Sequence, residues 1–222
     1  MTALAHCSFH PQSLLEKPLP TVFVVDDDIS VRESLELLIR EAGWQPELFD
    51  SARRFLDHPR PATPCCLVLD VNLPGLNGLD LQEQISGDGP VMPIIFITGY
   101  GDVPRTVRAM KAGAVEFLTK PFDQDVLLRA IGDSLEQSRH ALEHEQALTS
   151  LREAHESLTP REREILLLVV AGRLNKLIAA ELGISEITVK AHRGKVMRKM
   201  HARSVPDLVK MAAQLQLLGE SG

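Results

Sequence analysis

The sequence predicts an α/β domain built on a parallel sheet, followed by a smaller all-helical domain. Three observations lead to this fold class. Between about residues 21 and 137, short apolar runs alternate with helical patterns, as in sheets whose buried parallel strands are joined by helices. After residue 157 every periodic segment is helical. The length of 222 residues is enough for two small domains.

The distribution of charge supports the same division. The chain has a formal net charge of −6, but residues 157–222 hold eleven Lys/Arg and six Asp/Glu, a net charge of +5, which leaves −11 for the rest. Only the basic tail suits a polyanion as partner. The predicted organisation is a mobile N-terminal arm (1–20), an α/β domain (21–137), a helical linker (138–156) and a basic helical domain (157–222).

Five apolar runs mark the strands of the first domain. They lie at residues 21–25, 48–49, 66–70, 94–98 and 115–118. Helices are predicted between them: one capped by Ser30 and ended by Gly43, two over residues 51–56 and 79–85, and one capped by Asp102. Crossovers between parallel strands are right-handed, so these helices cover both faces of the sheet.

Polar residues follow four of these strands. They are Asp26 and Asp27, Asp70, Thr98, and Lys120. The carboxyl ends of parallel strands meet at one edge of the sheet, where ligands bind in open α/β folds. Like charges about 5 Å apart repel by roughly 3 kcal/mol at an effective dielectric near 20, and a hard divalent cation, Mg²⁺ or Mn²⁺, removes that cost. A metal beside a free carboxylate and a lysine indicates phosphoryl transfer to an aspartate, with a threonine hydroxyl placed to bond the phosphoryl oxygens.

Four short motifs at these strand ends resemble the receiver domain of bacterial response regulators. The motifs are Val25-Asp26-Asp27, Leu69-Asp70-x-x-x-Pro74, Ile97-Thr98-Gly99 and Lys120-Pro121-Phe122. The resemblance implies a flavodoxin-like five-stranded sheet and a cis bond between Lys120 and Pro121. It also implies these roles: Asp70 as phosphoacceptor, Asp26, Asp27 and the Asn72 carbonyl as Mg²⁺ ligands with Asp70, Lys120 as phosphate partner, and Thr98 and Phe117 as switch residues.

A long stretch without proline, from Asp123 to about Ser157, connects the two domains. Leu128, Leu135 and Leu142 are spaced by seven residues. This spacing leaves two interpretations open, a last receiver helix that continues into an exposed linker, or a sustained coiled coil. We favour the first.

The tail has the pattern of a helix-turn-helix domain with four helices. Thr159, Pro160 and Glu162 form a helix start with a capping box. A helix over Asn175–Leu182, a turn at Gly183 and a basic helix over Thr188–Met200 follow, then a fourth helix that begins near Val205. The basic helix contains no acidic residue, so we favour DNA binding over a merely solvated face.

The tail closely resembles the LuxR-type helix-turn-helix, and the two domains together resemble the FixJ group of response regulators. The resemblance places a set of side chains at DNA: Lys176, on a phosphate, with Thr188, Lys190, His192, Arg193, Lys195 and Arg198. Leu177 departs from the pattern at a commonly polar position, and Gly194 lies inside the recognition helix, where glycine costs about 1 kcal/mol against alanine.

These features predict a two-component transcription regulator that takes a phosphoryl group on Asp70 from a sensor histidine kinase. Phosphorylation is expected to produce a homodimer that binds promoter DNA and meets RNA polymerase. The chain is not expected to be an enzyme beyond promoting its own phosphoryl transfer and loss. Two alternatives remain, a DNA-binding regulator whose receiver acts without phosphorylation, and an aspartate-nucleophile phosphatase, which usually has a second aspartate where Asn72 stands.

The sequence also bears on location. No apolar run approaches the roughly 18 residues of a membrane span, and the N-terminus lacks the pattern of a secretory signal. Cys7, Cys65 and Cys66 have no metal-ligand spacing, so we interpret them as core or near-core thiols in a reducing cytoplasm.

Overall fold

The computed structural model describes residues 18–85, 92–99 and 103–217, except the side chains of residues 103–106. The chain divides into two compact units between Arg139 and His140. The expected mobile arm falls largely on residues 1–17 and the expected cap on Asp102, so both lie outside the described residues.

The first unit contains a sheet of five parallel strands in the order β2-β1-β3-β4-β5. The strands are β1 Thr21–Val25, β2 Gln45–Phe49, β3 Cys65–Asp70, β4 Ile94–Thr98 and β5 Glu116–Thr119. The helices are α1 Ile29–Glu41, α2 Ala52–Leu56, α3 Gly78–Ile85, α4 Val103–Lys111 and α5 Gln124–Glu156. The predicted α/β class and the flavodoxin-like strand order are confirmed.

Alternating strand residues supply two apolar layers, one on each face of the sheet. On one face Phe23, Leu67 and Phe96 pack with the buried residues of α2, α3 and α4. On the other face Val24 and Val68 pack with α1 and with the first half of α5. Side chains alternate across a strand, so strands that are apolar throughout can be covered on both faces. Because helices cover both faces of the sheet, polar groups of the central strands can reach solvent only at the ends of those strands.

Cys65 and Cys66 follow this alternation on β3. Both are free thiols, and their side chains belong to the two opposite apolar layers. Cys66 has no exposed surface, and burial raises the pKa of its thiol far above the ordinary value. The expectation that these two residues are core thiols is confirmed, whereas Cys7 lies outside the described residues.

Several boundaries differ from those predicted. The edge strand β2 begins at Gln45 rather than Leu48, because its first residues pair with β1 although they are not an apolar run. Helix α1 is capped by Asp28 rather than Ser30: the Asp28 carboxylate accepts a hydrogen bond of 2.8 Å from the Ser30 backbone N–H. The Lys120–Pro121 bond is cis, as expected.

The second unit holds four further helices. They are α6 Pro160–Val170, α7 Asn175–Leu182, α8 Glu186–Lys199 and α9 Val205–Gln214. They surround a core that includes Ile165, Ile178 and Val196. The turn between α7 and α8 contains Gly183 with a φ of +65°, a backbone conformation that glycine adopts without strain. The predicted all-helical tail is therefore confirmed.

The capping box at the start of α6 is present and extends into an ion pair. The Thr159 backbone N–H donates to Glu162 Oε2 (3.0 Å), and the Glu162 N–H donates to Thr159 Oγ1 (3.3 Å). Lys199, at the end of α8, donates to the same Glu162 oxygen at 2.7 Å. Glu162 is 3% exposed, so this pair joins two helices inside the unit.

Helix α5 is continuous over 33 residues, and most side chains between residues 139 and 150 are exposed. This agrees with a last receiver helix that continues as an exposed linker. A coiled coil requires a partner helix along this segment, and a single chain does not test that interpretation. In the described ranges no helix is both long enough and apolar enough to cross a membrane.

Candidate functional site

The strand register brings the predicted polar residues to one edge of the sheet. Asp26 and Asp27 directly follow β1, Asp70 is the last residue of β3, and Thr98 is the last residue of β4. Lys120 follows β5. In the register, Val25 pairs with Leu69 and Asp70 pairs with Ile97, so the strand ends are level.

Lys120 connects two of the carboxylates at this edge. Its ammonium group donates a hydrogen bond of 2.7 Å to Asp26 Oδ2 and lies 3.7 Å from Asp70 Oδ2. Asp26 has no exposed surface, and its second oxygen accepts the Asp28 backbone N–H at 2.9 Å. The lysine therefore offsets part of the negative charge that burial makes costly.

Asp70 lies in a less favourable environment for a negative charge. It is 6% exposed, and its Oδ1 is buried without a hydrogen-bond partner among the described residues. Burial raises the pKa of Asp70, Lys120 opposes that rise, and the Asp26 carboxylate adds to it. An unpartnered buried carboxylate oxygen is costly, so this atom indicates that the site functions with a further electropositive group.

The carboxylates of Asp26, Asp27 and Asp70 are arranged so that they could bind a divalent cation. One carboxylate oxygen each of Asp26, Asp27 and Asp70 lie within 4.8 Å of one another. The three carboxylates carry more negative charge than the Lys120 ammonium offsets, and a divalent ion reduces that excess. Asp27 is exposed, which leaves room for the water ligands that Mg²⁺ usually keeps. The donor set thus fits Mg²⁺ or Mn²⁺.

The loop after β3 holds Asp70 by close backbone contacts. The Val71 N–H donates to the Ile97 carbonyl, and the Gly78 N–H donates to the Val71 carbonyl, each at 3.1 Å. A Cβ atom on Gly78 would lie 2.6 Å from the Asp70 backbone oxygen. The helical pattern in the sequence begins at residue 79 and gives Gly78 no role at the site. The one available signal was a glycine at the first position of α3, where the N-cap rules do not require one.

The two predicted switch residues lie on neighbouring strands, Thr98 at the end of β4 and Phe117 within β5. Thr98 is 1% exposed, its hydroxyl is 3.5 Å from the Asn72 amide nitrogen, and its carbonyl accepts the Lys120 backbone N–H at 2.7 Å. Phe117, on β5, is half-buried with its ring centroid 6.2 Å from that of Phe96. The assignment of these roles, and of the Asn72 carbonyl as a ligand, stays a prediction.

A second basic contact near the cluster was missed. Arg32 of α1 donates a 2.6 Å hydrogen bond from Nη1 to the backbone carbonyl of Asp26. The contact depends on how α1 packs against the end of β1, and no motif at the strand ends includes this position. Arg32 is therefore a positioning residue for the backbone of Asp26.

In the second unit, most predicted DNA-contacting side chains are accessible. Lys190, Lys195 and Arg198 are exposed on α8, and Lys176 is exposed on α7. Each is a long cation on a surface that a polyanion can reach.

Three of the predicted contacts have structural partners or are partly buried. The Thr188 hydroxyl lies 2.8 Å from that of Ser185, which caps α8 by accepting the Thr188 N–H at 3.1 Å. Arg193 donates to Asn175 Oδ1 at the start of α7. His192 is half-buried, and its Nδ1 has no hydrogen-bond partner among the described residues. These three are less free to reach DNA than the exposed cations.

Comparisons with known proteins match both domains of the chain. The family described as "Response regulator receiver domain" matches residues 22–132, and "Bacterial regulatory proteins, luxR family" matches residues 156–212. Nodulation protein W of Bradyrhizobium diazoefficiens is 50% identical over 194 residues, 87% of this chain and 86% of that protein. Transcriptional regulatory protein FixJ of the same species is 40% identical over 90% of this chain and 97% of its own. The solved structure of the response regulator StyR is 49% identical, with a TM-score of 0.80 over 88% of this chain and 99% of that one.

Proposed function

The chain belongs to the bacterial response regulators that join a receiver domain to a LuxR-family DNA-binding domain, and from this membership we propose that phosphorylation of Asp70 controls its DNA binding. The family consists of DNA-binding transcription regulators rather than of enzymes that turn over external substrates. The observation that supports Asp70 is its buried Oδ1, which has no hydrogen-bond partner among the described residues, although Oδ2 of the same carboxylate lies 3.7 Å from the Lys120 ammonium and the Asp26 and Asp27 carboxylates are close by.

The proposed chemistry is transfer from a phosphohistidine of a sensor histidine kinase. An Asp70 carboxylate oxygen attacks phosphorus, the P–N bond breaks with its electron pair returning to the imidazole nitrogen, and an aspartyl phosphate results. The Lys120 ammonium, 3.7 Å from Asp70 Oδ2, neutralises the phosphoryl oxygens. The carboxylates of Asp26, Asp27 and Asp70 and the Asn72 carbonyl would hold Mg²⁺ or Mn²⁺, which would supply charge stabilisation at the phosphoryl group.

Thr98 and Phe117 are proposed to change position when Asp70 is phosphorylated, and thereby to alter the surface of the receiver domain. The phosphoryl group adds a charge of about −2, which attracts the Thr98 hydroxyl and loosens its weak contact with Asn72. Phe117 then follows into the space beside β4. The surface formed by α4, β5 and α5 changes shape, and two chains pair there. Val107 and Met110 of α4, each nearly half exposed, are suited to such an apolar contact.

A two-fold dimer of this kind presents two copies of α8 to DNA. The protein is then expected to bind paired half-sites in promoter DNA and to contact RNA polymerase from there. Both the sensor kinase and the polymerase require a cytoplasmic location for the regulator.

The experiment that tests the phosphoacceptor uses acetyl phosphate with Mg²⁺ and intact-mass measurement of the full chain. The wild type is expected to gain one phosphoryl group, and Asp70→Asn is expected to gain none. Asp57→Asn serves as the matched control, because Asp57 is an exposed carboxylate that ends α2. A gain in Asp70→Asn, or none in the wild type, contradicts the proposal.

DNA affinity of the same proteins tests the control of DNA binding. With acetyl phosphate and Mg²⁺, the wild type and Asp57→Asn are expected to bind duplex DNA more tightly than Asp70→Asn does. Equal affinity of all three would instead support a receiver that acts without phosphorylation.

A further inference from the structure

The recognition helix α8 exposes a large apolar side chain in its first turn. Ile187 is 80% exposed, the highest value among the large hydrophobic residues of the described ranges. It belongs to none of the apolar clusters of the second unit. Folding therefore does not account for an isoleucine at this position.

Ile187 lies at the centre of the exposed face of α8. Residues at spacings of four, seven and eleven share a helical stripe, so Ile187 is followed along the stripe by Ala191, Gly194 and Arg198. Lys190 and Lys195 are exposed on its two sides. The buried residues of this helix, Val189 and Val196, belong to the opposite face. From Ile187 to Gly194 the middle of the face is thus apolar and small, with cations at its two sides and with Arg198 at its C-terminal end.

Gly194 is a second, independent observation on the same stripe. A Cβ atom added there would meet nothing within 4 Å, and its φ is not in the left-handed region. The fold has no steric need for glycine at this position, although glycine weakens a helix interior compared with alanine. The missing side chain therefore serves something that approaches α8 closely from outside.

Duplex DNA is the occupant that these features fit. Residues near the start of a recognition helix contact base edges in the major groove, and thymine presents there an apolar C5-methyl group. The bordering Lys190 and Lys195 match the two phosphate backbones that flank a groove. An acidic or apolar protein partner would leave one of these two sets of side chains without a complement.

We propose that Ile187 is a specificity-determining residue that contacts a thymine C5-methyl group in the major groove. Ala191 continues the apolar contact, and Gly194 allows the helix to lie close to the bases. The inference rests on the DNA-binding function proposed above. It assigns recognition of thymine to van der Waals contact along the stripe and phosphate binding to the lysines beside it.

The test begins with a duplex selected from a random pool by the full chain in the presence of acetyl phosphate and Mg²⁺. Each thymine of the selected duplex is then replaced singly by uracil, which lacks only the methyl group. At one or more positions the wild type is expected to bind about fourfold more weakly, the factor for one buried methyl-sized group. Ile187→Ala is expected to be insensitive at those positions.

Leu177→Ala provides the matched control, because Leu177 is an exposed apolar residue on α7 outside the stripe. This variant is expected to retain the full response to uracil. Gly194→Ala is expected to lose affinity for the unmodified duplex. If uracil weakens the wild type and Ile187→Ala equally at every position, or weakens neither, the thymine contact is rejected while DNA binding stands. If no duplex is retained at all, DNA binding itself fails, and the inference with it.

Discussion

At Gly78 an added Cβ atom would lie 2.6 Å from the backbone oxygen of Asp70, closer than side chains approach. The atom it would meet is backbone and cannot rotate away. The start of α3 is held there by the hydrogen bond from the Gly78 N–H to Val71. A single missing side chain thus fixes how closely α3 approaches Asp70.

We expect Gly78→Ala to lower the unfolding free energy of the first unit by about 1–3 kcal/mol, the usual cost of overpacking. We also expect it to reduce phosphorylation of Asp70 by acetyl phosphate. Urea unfolding followed by tryptophan fluorescence measures the first quantity, because Trp44 is the single tryptophan and lies in this unit. Gly132→Ala is the control, since a Cβ at Gly132 meets nothing within 4 Å. Equal loss of stability in both variants would contradict the steric explanation.

The position of each polar residue at the edge of the sheet could be predicted, because the ends of the apolar strands can be recognised in the sequence. Asp26, Asp70 and Lys120 follow apolar runs, and parallel pairing brings such positions to one edge. The contacts of Gly78 and Arg32 could not be predicted, because they depend on how a helix packs against a neighbouring strand. The spacing of apolar residues along the sequence does not determine the distance between a helix and that strand.

Among the helices, α6 and α8 are joined by an ion pair between the buried Glu162 and the partly exposed Lys199, and its contribution to stability depends on pH. The hydrogen bond from Lys199, with that from the Thr159 backbone, lowers the pKa of Glu162 from 4.5 to about 2. A depressed carboxyl pKa stabilises the folded state fully above the unfolded pKa. The contribution is lost as the pH falls from about 4.5 through 2.

We therefore expect Lys199→Met to lower the unfolding free energy of the second unit by about 1.5–3 kcal/mol near neutral pH, as for a hydrogen bond to a charged group. The difference from the wild type should shrink as the pH is lowered from about 4.5 towards 2. Far-UV circular dichroism during urea unfolding is the suitable measurement, because this unit contains no tryptophan. Lys210→Met, an exposed lysine on α9, should show neither effect. A pH-independent difference would show that Glu162 is not the group involved.

Helix α8 should become more stable when Gly194 is replaced by alanine. The expected gain is about 1 kcal/mol, since alanine is the better helix former and the Cβ has free space. Thermal unfolding of the second unit by circular dichroism measures it. A loss of stability would mean that Gly194 is required by packing after all, and the argument for a close external approach would then lose one of its two supports.

Element types could be predicted more reliably than their ends. The helix α7 and the strand β4 match the predicted bounds, whereas β2 begins three residues early because an edge strand needs no apolar run. The shift of the α1 cap from Ser30 to Asp28 has a similar origin. Both are polar residues able to cap, and only the backbone direction after β1 decides between them.

For the whole molecule, the uneven charge predicts strongly salt-dependent DNA binding. Residues 157–222 carry +5 and the remainder −11. Basic side chains that bind phosphates release condensed counterions from DNA, and added salt makes this release less favourable, which weakens binding. Salt also screens the repulsion between DNA and the acidic part, which acts in the opposite direction.

We expect the logarithm of the association constant to fall linearly with the logarithm of salt concentration. Lys190→Ala should reduce the slope by about one per bound subunit, as for a lost phosphate contact. The control Lys210→Ala should leave the slope unchanged, since that exposed lysine lies on α9. Titrations of labelled duplex at several salt concentrations provide the slopes. Equal slopes for wild type and Lys190→Ala would remove Lys190 from the phosphate contacts.

Cys66 lies four residues before Asp70 on β3, between two paired strands, with no exposed surface and a raised thiol pKa. The thiolate is the form that attacks alkylating reagents, so Cys66 can be modified only while the centre of the sheet is transiently open. In a variant with Cys7 and Cys65 replaced by serine, the rate of alkylation would therefore report how often the sheet opens. Comparing that rate with and without acetyl phosphate would reveal whether phosphorylation at Asp70, the last residue of β3, makes the transient opening of the sheet less frequent.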